Sequence, residues 1–174
     1  MSLRSRTAGA VLALAVPFAL AAVPAGAAPV PEADPFLWTD LTPTYTATAD
    51  YQYEPFAVTD GYKPIGGCTK DTATGQGGAG HHYVNLAHVG SLDPAEPAGL
   101  LYETDSDGDR SLVGVEWIVR ADNTATTAPT LFGQTFQGPV TLPGVGSVYT
   151  LRAWIWKDDP SGVFAPWNPT VTCP

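Results

Sequence analysis

The twenty residues from Leu100 to Val119 constrain the fold of this chain more than any other stretch. Leu100-Leu101-Tyr102-Glu103 and Leu112-Val113-Gly114-Val115-Glu116-Trp117-Ile118-Val119 are rich in aliphatic, β-branched and aromatic side chains, and Asp105-Ser106-Asp107-Gly108-Asp109 separates them. An Asp-Gly pair supplies the positive φ that a tight turn between antiparallel strands requires, so the segment predicts a hairpin turning at Asp107-Gly108. A second strand signal runs from Val148 to Trp156, bounded by Gly146 and by Asp158-Asp159-Pro160, and is expected to be the longest strand. His81-His82-Tyr83-Val84-Asn85 reads as a strand or its edge.

Helical signals are few. Pro55 stands where a first helical turn tolerates it and Gly61 where a helix stops, which predicts one short helix ending at Gly61. Before it, Thr44 to Tyr53 alternates in the manner of a strand. Gly66 to Gly80 holds six glycines and reads as a flexible loop, and Ala121–Gly146 and Lys157–Pro174 are loop-like in their Pro, Gly, Thr and Asn content. With several short strands and 17 prolines, the chain is expected to be α+β, mainly β: an antiparallel sheet folded over a small core, with one short helix packed on it.

The N-terminus carries Arg4 and Arg6, then an apolar run from Ala8 to Val23, then Ala25-Gly26-Ala27. These are the charged, apolar and small-residue regions of a signal peptide, which places residues 1–27 as a leader cut after Ala27. Pro17 interrupts the apolar run, which falls short of the roughly 20 residues of a spanning helix, so no stable membrane anchor is expected. Residues 28–35 contain three prolines and read as a disordered leader, and 36–174 as a single extracytoplasmic domain of a secreted protein. Removal of residues 1–27 takes away two of the eight basic residues and none of the seventeen acids, so the charge moves from −9 to −11. Such a surface repels phosphate backbones, and nucleic acid is not an expected partner.

Cys68 and Cys173 are the only cysteines and form no Cys-x-x-Cys motif. In an oxidising compartment an isolated pair of this kind reads as a disulfide.

Several strings together resemble an uncharacterised family of exported bacterial proteins: Gly77-Gly78-Ala79-Gly80-His81-His82-Tyr83-Val84-Asn85, Leu100-Leu101-Tyr102-Glu103, Leu112 to Trp117, Leu131-Phe132-Gly133, and Trp154 to Cys173 with its Trp167-Asn168-Pro169. The resemblance spans about Tyr51 to Cys173 and implies a shared fold unit without implying a reaction. It also implies a His at the position of His82, carboxylates at Glu103 and Glu116, and a His where this chain has Arg152. Two imidazoles and two carboxylates would suit a divalent metal, whereas a guanidinium cannot ligate, so His82, Glu103 and Glu116 remain as metal candidates and no cofactor is expected.

By the two-residue period of a strand, Leu112, Gly114, Glu116 and Ile118 share one face, and Val113, Val115, Trp117 and Val119 the other. Glu116 thus sits in an otherwise apolar row, with Arg152 as the obvious bidentate partner. One reading is a buried, architectural salt bridge. The other is a pocket where His82, Glu103, Glu116 and Arg152 converge, the guanidinium gripping an anionic ligand and a carboxylate or His82 acting as general base. His81 and His88 read as solvated. Asp105, Asp107, Asp109 and Glu116 match EF-hand spacing, but Arg110 stands where that loop needs Gly, so the acids read as a solvated turn. Trp154, Trp156 and Trp167 could present a sugar-binding platform, although alternation places Trp154 and Trp156 on one strand face, as a core requires.

No nucleophile elbow, phosphate-binding loop or zinc-protease helix is present, and nothing points to heme or flavin. The expected function is a non-catalytic binding or structural domain. The alternatives are a small-molecule or metal-dependent enzyme built on the His/Glu/Glu/Arg cluster and a carbohydrate-binding module, and the sequence leaves the question of catalysis open.

Overall fold

The structure, a computed structural model, describes residues 36–121 and 127–174. The signal-peptide and leader assignments to residues 1–35 lie outside the described residues. A short helical segment opens the described chain: α1 (Leu37–Asp40), α2 (Thr42–Thr48), a 3-10 turn (Ala49–Gln52) and α3 (Glu54–Thr59). Eight strands follow: β1 (Lys63–Lys70), β2 (Gly78–Val84), β3 (Gly99–Thr104), β4 (Arg110–Arg120), β5 (Thr130–Leu131), β6 (Gln134–Thr135), β7 (Gln137–Leu142) and β8 (Gly146–Ala153). Six form one antiparallel sheet in the order β1-β2-β3-β4-β8-β7, and β5 and β6 pair separately. The class is as expected, mainly β with few short helices and a disulfide between Cys68 and Cys173.

The β3–β4 hairpin turns where the Asp-Gly signal placed it. Asp105 Oδ1 accepts hydrogen bonds from the backbone N–H of Asp107 at 3.0 Å and Asp109 at 2.9 Å, and Gly108 takes φ +91°. One acid therefore serves as a turn scaffold, the local role expected of Asp in such a loop. The predicted helix before Gly61 is α3, ended by Gly61 at φ +96°.

Four expectations are corrected. Thr44 to Gln52 is helical and only Tyr53 is extended: Pro43 occupies the first turn of α2, and Thr44 and Thr48, one turn apart, are the residues that α2 buries. Thr48 Oγ1 donates to the Thr44 carbonyl at 2.8 Å and Thr44 Oγ1 to Pro94 O at 2.7 Å, so their hydroxyls can enter the interior without losing partners. The glycine-rich stretch is strand at both ends, because Gly66 and Gly67 form a bulge in β1 and Asp71 organises the turn by accepting from the N–H groups of Ala73, Thr74 and Gln76. The Thr74 hydroxyl, which also donates to this carboxylate, and then these backbone N–H groups hold the Asp71 carboxyl down at about 2. The stretch 121–146 carries β5, β6 and β7; β7 is an exposed edge strand, so it lacks the apolar alternation that marks a covered one. Finally, β4 with 11 residues exceeds β8 with 8, because β8 ends at Ala153.

The two faces of the sheet bury different clusters. One face carries Tyr83, Leu100, Tyr102, Leu112, Val115 and Trp117, closed by Leu41 and Ala57 of the helical segment and by Phe136. The opposite face carries two smaller groups, one around Val84, Ile118, Leu142 and Val148 and one around Leu101, Val113, Trp154 and Val171. Leu112 and Val113 lie on the faces opposite to those the alternation assigned. A register shift opposite Leu101/Tyr102 adds one residue to β4 there, and alternation resumes as expected only from Gly114 onward.

Candidate functional site

Between the two smaller clusters a row of three polar side chains crosses the sheet. Glu116 of β4 and Arg152 of β8 are direct cross-strand partners. Arg152 Nε donates to Glu116 Oε1 at 2.8 Å, and the Glu116 side chain is fully buried while 10% of Arg152 remains exposed. Above the pair, Arg152 Nη1 donates to the Pro166 carbonyl, and the guanidinium carbon stands 4.8 Å from the Trp167 ring centroid. The pair expected from the sequence is therefore present, sealed and roofed by the C-terminal segment, but it is joined by one hydrogen bond and is not bidentate, because Arg152 Nη1 turns to the Pro166 carbonyl.

That roof is seated by glycines. Gly78 exchanges backbone hydrogen bonds with Asn168 at 3.0 Å in each direction, and a Cβ on Gly77 or Gly78 would lie 2.3 Å from Asn168 O or 2.6 Å from Val171 O. Asn168 is itself fully buried, donating to Asp158 O at 3.2 Å and accepting from Thr170 N at 2.9 Å. The Cys68–Cys173 bond fastens the same segment to β1.

His82 approaches Glu116 from β2, across the whole width of β3. His82 is paired with Leu101 of β3 and Glu116 with Gly99, so the two meet on a diagonal; a Cβ on Gly99 would stand 3.1 Å from Glu116 Cβ. His82 Nε2 lies 3.6 Å from Glu116 Oε2, beyond hydrogen-bond length, and both buried atoms lack a hydrogen-bond partner. Burial pulls the His82 pKa down to about 4; the Glu116 carboxylate opposes that shift, and Arg152 and His81 add to it. His82 is therefore a neutral imidazole at neutral pH, facing a carboxylate whose other oxygen is held by Arg152.

Glu103 does not join this row. Both of its carboxylate oxygens accept from Lys157 Nζ at 2.7 Å, with the two side chains 16% and 29% exposed respectively. His82 and Glu116 thus offer two donor atoms with a guanidinium beside them, and among the described residues no group of three His, Cys, Asp or Glu side chains is placed to hold a metal ion. This donor set does not fit the three or four ligands of a zinc-type centre.

The remaining candidates also find local partners. His88 Nδ1 is 3.3 Å from the Tyr62 hydroxyl, and His81 Nε2 is 3.4 Å from Thr104 Oγ1. The three C-terminal tryptophans form no common row: Trp154 is buried beside Gly114, Trp167 packs against the same cluster and covers Arg152, and Trp156 stacks on Tyr45 at 4.2 Å on the other side of the sheet. Sequence reasoning missed Gly99, Gly77-Gly78 and Pro166. For the three glycines the only signal was glycine where a β-branched or large residue would suit a strand better, and Pro166 acts through its backbone carbonyl, which has no side-chain signal.

Comparison with protein-family models, with curated proteins and with solved structures returns no match.

Proposed function

We propose that this chain is an exported, disulfide-closed binding or structural domain without catalytic activity, in which the Glu116–Arg152 pair is architectural. The observation that carries the reading is the sealing of that pair: Glu116 is wholly inside, and the crevice beside Arg152, between Thr150, Phe164 and Pro166, measures about 10 Å³. A catalytic cluster must admit a substrate to its acid or base, and a space of that size holds no more than about one water. Cavities of about 320, 390 and 400 Å³ are lined by other residues.

Export is supported by the N-terminal pattern of residues 1–27 and by the disulfide, a bond that persists in oxidising compartments. Among the described residues no helix is long and apolar enough to cross a membrane. The test is elemental mass spectrometry of protein purified from culture medium, for the wild type and His82→Ala, with intact-mass analysis alongside. The expected result is a chain beginning at Ala28, no alkylatable thiol, and no stoichiometric metal in either protein. Near-stoichiometric metal that disappears in His82→Ala would overturn the architectural reading and make His82 and Glu116 a ligand set.

A further inference from the structure

We infer that the cleft between the β1–β2 side of the sheet and the β7–β8 turn binds a small aliphatic carboxylate, with Lys63 holding the anionic end. The inference rests on the binding alternative of the reading above and assigns it a place away from the sealed pair.

The cleft measures about 400 Å³, within the roughly 300 to 1,000 Å³ of small-ligand sites. Its walls come from two parts of the chain that are distant in sequence: Ile65 and Val84 from the first two strands, with Leu86 beyond them, and Gly144 and Val145 from the turn that closes on the other side. Gly66 and Pro143 mark how near those two parts come, since a Cβ on Gly66 would stand 3.6 Å from the proline ring. The lining is mostly aliphatic, and Leu86, 60% exposed, is a large apolar side chain at its rim.

The rim is held in place. Asn85 Nδ2 donates to Asp60 O at 3.1 Å, and Asn85 Oδ1 accepts from Ala87 N at 3.0 Å, so a single buried amide ties the loop before β1 to the turn after β2. A rim ordered in the free protein spares a ligand the entropy of ordering it.

Lys63 supplies the polarity. It is an exposed lining residue and makes no ion pair among the described residues, whereas Arg152 and Lys157 are each paired with a carboxylate. No Asp or Glu side chain lines the cleft. The chain as a whole is strongly negative, but that field is screened beyond about 8 Å at physiological ionic strength, leaving the nearby ammonium to select the charge of what enters. Apolar burial would supply most of the affinity and Lys63 the preference for an anion.

The test is isothermal titration of the exported protein with octanoate, 1-octanol and octylammonium, repeated with Lys63→Glu after circular dichroism shows that it melts cooperatively. The expected order is octanoate tightest, with a margin of about threefold to fivefold over octanol, the scale of one exposed ion pair. Lys63→Glu should reverse the preference between octanoate and octylammonium. Equal binding of octanoate and octanol, or tighter binding of octylammonium to the wild type, overturns the assignment of an anion, and failure of all three to bind overturns the site. Neither result touches the architectural reading of Glu116 and Arg152, which the metal measurement decides separately.

Discussion

Two carboxylates on one sheet face opposite fates. Glu116 and Arg152 are cross-strand neighbours, fully buried and one-tenth exposed, and roofed by Pro166 and Trp167. Glu103 and Lys157 make an ion pair with comparably short contacts, yet both side chains keep access to water. In each pair the charges meet at bonding distance. The difference lies in what happens when one partner is removed. An exposed charge returns to solvent, whereas a buried one is stranded, so burial and not pairing sets how much the protein depends on each.

The largest effect should come from opening the roof. Cys68→Ser/Cys173→Ser frees the segment that covers Arg152, and closing 105 residues contributes about 4.7 kcal/mol in the chain-entropy model. Urea unfolding should register a loss on that scale, and a midpoint unchanged by the double substitution would show that the segment stays seated without its covalent tie. Next comes the sealed pair itself: Arg152→Ala should cost about 3 to 5 kcal/mol by leaving Glu116 uncompensated. A thermally unaltered Arg152→Ala protein would falsify the contrast between the two pairs.

The pH dependence sharpens the same point. The folded-state pKa of His82 is depressed to about 4 from an ordinary 6.5, so the unfolded chain takes up a proton that the native state refuses. Stability is accordingly intact above about pH 6.5 and falls as the pH drops toward 4, by at most about 3 kcal/mol. The comparison is unfolding free energy at pH 7 and pH 4.5 for wild type and His82→Gln; the variant should lose less. Direct titration of the His82 imidazole by NMR checks the same quantity, and an apparent pKa near 6.5 would show that the ring is hydrated. The smallest effect belongs to Glu103→Ala, at most about 1 kcal/mol, weakening further with salt. A loss as large as that of Arg152→Ala would erase the distinction drawn between the pairs.

Much of the Glu116–Arg152 pair was legible in the sequence, because both residues sit in strong strand signals and an acid in an apolar row demands a partner. The hairpin at Asp107-Gly108 and the helix stop at Gly61 were legible for a similar reason: their turn chemistry is local. His82 was grouped with Glu116 and Arg152, but no pattern in its own strand fixed where it would stand. Its distance from Glu116 depends on β3 lying between them and on the register of β2 and β4 against it, and strand order is a property of pairings far apart in the chain. Glu103 was grouped with the wrong residues because its partner, Lys157, lies 54 positions away in a loop. Trp154 and Trp156 were placed on one face because alternation was carried past Ala153, where β8 ends and the chain sends the two rings to opposite sides of the sheet.

The sequence by itself determined the antiparallel, mainly β class, the central hairpin, the disulfide pairing and the need for one buried acid to find a cation. Only the tertiary structure decided which acid was sealed and which stayed wet, where one inserted residue exchanged the faces of Leu112 and Val113, and which segment closed over Arg152. The physical reason is that side-chain alternation and turn preference act between near neighbours, whereas burial is fixed by register, strand order and the close approach of distant backbone that Gly77, Gly78 and Gly99 permit.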